Sequence, residues 1–195
     1  MAKHKLSGAA IFMYAVIAGT ILVWPVCFYL WYGGKTQNNA VLWVGIVAFM
    51  FMYHFGLRII LGGVTKLFAI DRDHWWFKER GFEKKLYKFL RVKKWKDKVL
   101  TYSPELFDVK SRTMSEIADT MVKAETDHWV NELISLASIL FSLLWGETWI
   151  FVLTAVLAML FDAQFIVIQR YNRPKVLRIL KMQEARRERE AARGI

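Results

Sequence analysis

The stretch AETDHWVNE, from Ala124 to Glu132, is the last polar run before the chain enters a long apolar region. If it is helical, Glu125, His128 and Glu132 lie on one face, because positions three, four and seven apart share a face. A carboxylate beside an imidazole is a ready acid/base pair, since the charge of one sets the proton affinity of the other. The alternative is a helix cap at a membrane surface, with Trp129 as an interfacial anchor.

On both sides of this stretch the apolar residues fall into blocks long enough to cross a bilayer, which takes about 20 helical residues. Of the 195 residues, 55% are hydrophobic, an unusual share for a soluble protein. We therefore expect an all-α integral membrane protein that forms a single membrane domain over residues 1–195. The predicted spans are about 8–32, 40–61, 130–145 and 149–168. Because the third block is short, a re-entrant hairpin with the fourth is the alternative.

The positive charges predict the orientation of the chain. Of 28 Lys and Arg residues, two precede the first block, fifteen lie between Lys66 and Lys123, and nine lie from Arg170 onward. Positive charge marks the cytoplasmic side of a membrane protein. We therefore expect both termini and the long middle segment to be cytoplasmic, with the two short turns outside.

The middle segment, residues 66–128, is predicted to lie in the membrane interface as amphipathic helices. Phe82, Leu86, Phe89 and Leu90 fall on one helical stripe, and lysines surround it. Such a pattern is typical of a helix in the interface of an anionic leaflet. Because the basic run lies between membrane spans, nucleic-acid binding is not expected. A short helix to about Asp119 and a charged, solvated tail over 175–195 complete the predicted elements.

Three ionisable residues lie inside apolar blocks, where such groups are costly and need a partner or a function. His54 and Asp162 are both about 20 Å from the outer ends of their blocks at about 1.5 Å per residue, and Arg58 is one turn from His54. We expect Asp162 to contact Arg58 or His54. The pair is either a structural ion pair or part of a substrate site.

Two carboxylate-x-x-His steps, Asp71-x-x-His74 and Glu125-x-x-His128, resemble half of a carboxylate-bridged di-iron site. Such a site also needs two further inward Glu residues, and the chain has only four His. We therefore expect no metal. No phosphate-cradling glycine loop, dinucleotide fingerprint or nucleophile elbow is present in the sequence.

Four runs carry a resemblance to a known family: Phe77–Arg80, Leu90–Lys98, Glu125-x-x-His128-Trp129 and Gln169–Pro174. Over about residues 70–180 the chain resembles the small bacterial membrane acyltransferases typified by glycosyl-4,4'-diaponeurosporenoate acyltransferase. The resemblance implies an enzyme that esterifies the sugar of a glycosylated C30 carotenoid with a fatty acid, the last step towards staphyloxanthin. It also implies a multi-pass protein of the bacterial cell (inner) membrane.

With this resemblance we expect an O-acyltransferase that acts at the cytoplasmic leaflet on a sugar hydroxyl of a glycolipid or glycosylated isoprenoid. His128 is the expected general base, and Glu125 is expected to orient it. Asn172 is expected to polarise the acyl carbonyl. The other expected substrate-binding residues are Arg91, Lys93, Lys94, Trp95, Arg170, Arg173, His54, Arg58 and Asp162.

The expected partners are lipid substrates in the inner leaflet, with an acyl thioester or a phospholipid as acyl donor and no cofactor. Two other classes remain open from the sequence. One is a non-enzymatic membrane scaffold or immunity-type protein, in which Glu125 and His128 are interface residues. The other is a metal-dependent lipid-modifying enzyme that uses His74 and His128. The sequence does not indicate the oligomeric state.

Overall fold

The computed structural model describes residues 7–99 and 101–193. Lys3, Lys5 and the last two residues of the predicted tail lie outside them. Within these ranges the structure has seven α-helices and no β-strand, so the predicted all-α fold is confirmed. The helices are α1 (Gly8–Tyr32), α2 (Asn39–Val64), α3 (Glu83–Phe89), α4 (Val92–Trp95), α5 (Met114–Ala137), α6 (Ser142–Trp145) and α7 (Thr148–Ala192).

In the described part of the chain, four helices are long and apolar enough to cross a membrane: α1, α2, Met114–Trp145 and α7. This agrees with the expected four spans. Along α1 large apolar side chains point away from the rest of the protein, with Phe12 61% and Leu22 71% exposed. Such outward apolar groups suit a lipid environment, where the backbone polar groups are bonded within the helix.

The third spanning helix begins at Met114, well before the predicted start at residue 130. Thr113 and Glu116 form a capping box at its N-terminus: Thr113 N donates to the Glu116 carboxylate at 2.8 Å, and Glu116 N donates to Thr113 Oγ1 at 3.2 Å. The predicted end of a short helix near Asp119 is therefore wrong, because α5 continues through that position.

A tight turn joins the third and fourth spans. The chain passes through a 3-10 stretch at Ser138–Phe141 and through α6, and it reverses at Gly146 and Glu147. Both turn residues have positive φ, 69° and 50°. Helix α7 then runs past the predicted end at 168 and through Pro174 to Ala192. The tail is helical because its Ala, Glu, Arg and Lys residues favour helix strongly.

By its contacts the chain divides into two compact units. The first comprises the residues up to Phe68 together with Asp127–Ala163. Its apolar core joins residues of α2 and α7, and Gly45 allows α1 and α2 to approach closely, since a Cβ there would lie 2.8 Å from the Phe28 ring. The core residues are Leu42, Ile46, Met50, Ile150 and Phe151. The expectation of one membrane domain over 1–195 stays a prediction.

The second unit comprises Ala69–Thr126 together with the residues from Gln164 onward. Here α3 turns its polar side inward: Glu83 and Tyr87, one turn apart, are only 3% and 8% exposed. Its apolar residues lie outside, with Phe82 59% and Phe89 82% exposed. Helix α3 therefore buries a carboxylate and a phenol, while its apolar residues and its lysines are exposed.

Candidate active site

Asp162, on α7 in the first unit, is completely buried and holds three polar side chains. Nδ1 of His128 lies 2.8 Å from its Oδ1, and the Asn131 amide donates to the same oxygen at 3.1 Å. Arg58 donates to Oδ2. An isolated carboxylate would be very costly to bury, and these partners offset that cost. The predicted contact between Asp162 and Arg58 is confirmed.

The hydrogen bond to Asp162 determines which nitrogen of neutral His128 carries the proton. A carboxylate only accepts, so the N–H lies at Nδ1 and the lone pair at Nε2. The His128 side chain is 21% exposed, whereas Asp162 is 0% exposed. A buried carboxylate thus orients a partly accessible imidazole, which is the arrangement that lets a histidine accept a proton from a hydroxyl.

Helix α5 turns a polar stripe towards this site. His128, Asn131 and Ser135 follow at spacings of three and four residues, and Asn131 and Ser135 are 7% and 0% exposed. Apolar residues such as Leu133, 68% exposed, face outward. Asn131 is not among the site residues predicted from the sequence, although its spacing of three from His128 in an apolar helix is a signal for it.

His54 lies one turn before Arg58 on α2 and is 6% exposed. Neither of its ring nitrogens has a hydrogen-bond partner among the described residues. The same holds for Nε of Arg58. Buried polar groups are normally bonded, so these unpaired atoms need an explanation.

Glu125 belongs to a different cluster, which lies in the second unit. It is 0% exposed; its Oε1 accepts from Arg170 at 2.6 Å, and its Oε2 accepts from Arg173. Arg170 also bonds Glu83 through Nε at 2.9 Å and Nη2 at 2.5 Å. Two arginines face two carboxylates, so the charges balance. In the structure Asp162 is thus the carboxylate that bonds His128, while both oxygens of Glu125 bond arginines.

Arg170 uses all five of its N–H donors on protein acceptors. Three go to Glu83 and Glu125, and the other two go to the carbonyls of Trp76 at 3.1 Å and Lys78 at 3.3 Å. These bonds hold the Trp76–Lys78 segment and α3 in place. The substrate role expected for Arg170 stays a prediction, and its contacts are those of a structural network.

Two aromatic residues complete this network. Arg173 donates to the carbonyl of Phe77, and its guanidinium carbon lies 5.3 Å from the Phe77 ring centroid. Tyr87 donates to Glu83 at 2.8 Å. Burial, followed by the Glu83 carboxylate, raises the pKa of Tyr87 above its ordinary value of 10.0, so the phenol stays neutral at physiological pH.

The remaining predicted substrate-binding residues lie in the second unit. Arg91, Lys93 and Lys94 are exposed, and Arg91 has a left-handed backbone with φ 51° where α4 begins. Trp95 donates from Nε1 to the Leu90 carbonyl at 2.9 Å, and Asn172 is half-buried. Their roles stay predictions.

The second carboxylate–histidine step serves a local purpose. Nδ1 of His74 accepts from the backbone N–H of Trp76 at 3.3 Å, which caps the 3-10 turn Trp75–Phe77. Among residues 7–99 and 101–193, no group of three His, Cys, Asp or Glu side chains is arranged to hold a metal ion.

Residues 73–182 match the family model described as glycosyl-4,4'-diaponeurosporenoate acyltransferase. The chain belongs to this family. It is therefore an acyltransferase, and the non-enzymatic scaffold is excluded. No curated protein and no solved structure matches the chain. The matched residues of this acyltransferase include His128 and Asp162, whereas His54 and Arg58 precede them.

Proposed function

We propose that this acyltransferase transfers a fatty acyl group to a sugar hydroxyl of a glycolipid or glycosylated isoprenoid at the cytoplasmic leaflet. His128 is the general base in this proposal. The observation that carries it is the hydrogen bond of 2.8 Å between His128 and the completely buried Asp162. We assign the orienting role, which the sequence suggested for Glu125, to Asp162.

The proposed reaction is a direct transfer. As the acceptor oxygen attacks the acyl carbonyl, its O–H bond breaks and the proton moves to Nε2 of His128. The imidazolium that forms is stabilised by Asp162, which Arg58 and Asn131 hold in place. When the bond between the acyl carbon and the donor breaks, His128 returns the proton to the leaving group. No covalent intermediate on the protein is needed.

Two observations support a glycolipid or glycosylated isoprenoid as the acceptor: the family to which the chain belongs and the apolar surface of its helices. The family's description names a glycosylated isoprenoid, which joins a polar sugar to a long apolar chain. Exposed apolar side chains on the spanning helices suit such a chain. The basic segment between the second and third spans supports the cytoplasmic side, where anionic lipids and positive charge meet.

The test compares purified variants in lipid vesicles with a glycosylated C30 carotenoid as acceptor and the host lipid extract as donor source. We expect His128→Ala to lower the transfer rate by about 100- to 10,000-fold, the usual value of a positioned general base. Asp162→Asn is expected to lower the rate almost as much. The new amide can donate to Nδ1 of His128, which moves the ring proton to Nε2, the nitrogen that must accept the proton of the hydroxyl. His74→Ala is the control and should remain close to wild type.

Two results would contradict the proposal. Full activity of His128→Ala would remove the general base. A Glu125→Gln variant that is folded but slower than Asp162→Asn would return the orienting role to Glu125. Thermal unfolding of each variant in detergent separates a loss of chemistry from a loss of folded protein.

A further inference from the structure

Two hydrogen-bond donors on α2 are buried without a protein partner, and one of them belongs to the arginine that shares Asp162 with the proposed general base. They are a ring N–H of His54 and the Nε–H of Arg58, and neither has an acceptor among the described residues. Arg58 and His128 bond the two oxygens of one carboxylate, Asp162, so they lie on either side of it. His54 and Arg58 are four residues apart and share a helix face.

The unpaired donors call for a ligand acceptor. His54 is 6% exposed and the Arg58 side chain 11% exposed, so bulk solvent does not satisfy them. Leaving buried donors unpaired is unfavourable, and native proteins avoid it where no function requires it. The bond to Asp162 uses one terminal nitrogen of Arg58 and restrains the guanidinium. Its Nε–H is therefore presented in a set position before any substrate arrives.

We propose that His54 and Arg58 bind the carbonyl oxygen of the acyl donor and hold the negative charge that develops on it during transfer. This inference rests on the proposed function, because His54 and Arg58 would stabilise the carbonyl oxygen in the same reaction in which His128 is the base. Donors arranged in advance around a developing oxyanion, away from water, are among the largest contributions to acyl-transfer catalysis. The carbonyl is the acceptor-only group that joins the fatty chain to the rest of the donor.

The electron movements are consistent with this assignment. The donor is an acyl thioester or a lipid acyl ester. The acceptor oxygen forms a bond to the acyl carbon, its proton goes to His128, and the carbonyl π pair moves to the oxygen held by His54 and Arg58. Collapse of this intermediate reforms the carbonyl and breaks the C–S or C–O bond of the donor. The leaving group then takes the proton from His128.

Two substitutions on α2 test the pocket in the vesicle assay described above. His54→Leu removes the ring donor, and Arg58→Lys keeps the positive charge beside Asp162 but removes the Nε–H. We expect each to lower the rate at saturating acceptor by about 100- to 1,000-fold, as the loss of one oxyanion donor does elsewhere. His54→Asn, which keeps an N–H donor, should recover part of the loss.

The stability of His54→Leu distinguishes a catalytic from a structural histidine. Replacing an unpaired buried imidazole by an apolar side chain removes an unfavourable group, so the variant should unfold in detergent at or above the wild-type temperature. Trp24→Phe is the matched control, because Nε1 of Trp24 is also buried and unpartnered in the first unit. Its transfer rate should equal that of wild type.

The outcomes separate this inference from the proposed function. If His128→Ala is inactive while His54→Leu and Arg58→Lys keep the wild-type rate, the carbonyl pocket is wrong and the general base stands. If His54→Leu loses both thermal stability and rate, His54 is structural and the inference is again wrong. If His128→Ala is fully active, the proposed general base is wrong, and this inference, which rests on it, is wrong as well.

Discussion

At the residue scale, two buried carboxylates carry the same charge and meet different partners. Glu125 faces Arg170 and Arg173, and Glu83 completes a balanced set of two arginines and two carboxylates. Asp162 faces one arginine, one amide and one imidazole. Of these two clusters, only that of Asp162 contains an imidazole, the side chain most often used as a general acid and base, so this cluster is the one suited to proton transfer.

The balanced cluster gives a prediction about stability. Glu125→Ala removes the carboxylate that pairs with the buried Arg173 and leaves Arg170 with Glu83 alone, and we expect it to lower the free energy of unfolding by about 3–5 kcal/mol. Thermal or denaturant unfolding in detergent measures the change. Asp119→Ala is the control on the same helix: Asp119 is 58% exposed and pairs with Arg72 at 3.3 Å, so its loss should cost less than about 1 kcal/mol. Equal losses of unfolding free energy in the two variants would show that the buried ion pairs of Glu125 stabilise the protein no more than the exposed pair of Asp119.

At the scale of single elements, α3 has a buried face with Glu83 and Tyr87 and an exposed apolar stripe. Glu83 and Tyr87 point inward because Arg170 bonds Glu83 and Glu83 in turn accepts from Tyr87. This attachment leaves Phe82, Leu86 and Phe89 outside, where burying them in lipid is favourable. A polar contact thus decides the rotation of the helix, and the apolar face is left to the membrane.

This rotation predicts which side of α3 touches lipid. In a Cys27→Ser background, a bimane attached at Phe89→Cys should be strongly quenched by brominated lipid in reconstituted vesicles. The same label at Lys84→Cys, whose wild-type side chain is 77% exposed, should be quenched much less, because Lys84 lies away from the apolar stripe. Equal quenching at both positions would show that α3 does not lie in the interface by its apolar side.

Helix α5 carries residues of both polar clusters along one continuous element. Its N-terminal part carries Glu125 in the second unit, and from Asp127 onward it belongs to the first unit with His128 and Asn131. The capping box starts α5 at Met114, so Glu125 and His128 lie within the same continuous helix, three residues apart. The polar run that marks the boundary in the sequence is therefore the middle of a helix rather than its cap.

At the scale of the whole molecule, four candidate spans in the described part of the chain and the Lys/Arg distribution together predict the topology. In the Cys27→Ser background, single cysteines at Lys35 and Thr148 should react with a membrane-impermeant maleimide in intact cells. Cysteines at Lys96 and Gln183 should react only after the membrane is opened. External labelling at Lys96 would overturn the orientation and the cytoplasmic site with it.

Much of the fold was accessible from the sequence because the signals are local. A span needs only a continuous apolar stretch of sufficient length, and the predicted first two spans, 8–32 and 40–61, compare with observed helices Gly8–Tyr32 and Asn39–Val64. The contact of Asp162 with Arg58 followed from matched depth and the cost of an unpaired charge. The helix ends were less accessible: the Thr113-x-x-Glu116 capping box marks the start of α5, but a polar stretch separates it from the apolar block by which the span was predicted.

The partners of the ionisable side chains were decided by tertiary structure alone. Glu125 is three residues from His128, yet its carboxylate bonds arginines 45 and 48 residues away, while His128 bonds Asp162, 34 residues away. Spacing places residues on one face of a helix, but the face each side chain meets depends on how neighbouring helices are rotated. That rotation is set by the packing of many distant residues at once, such as the approach of α1 and α2 at Gly45. The sequence by itself therefore determined which segments are apolar enough to span a membrane, and only the packed structure decided which carboxylate orients the histidine.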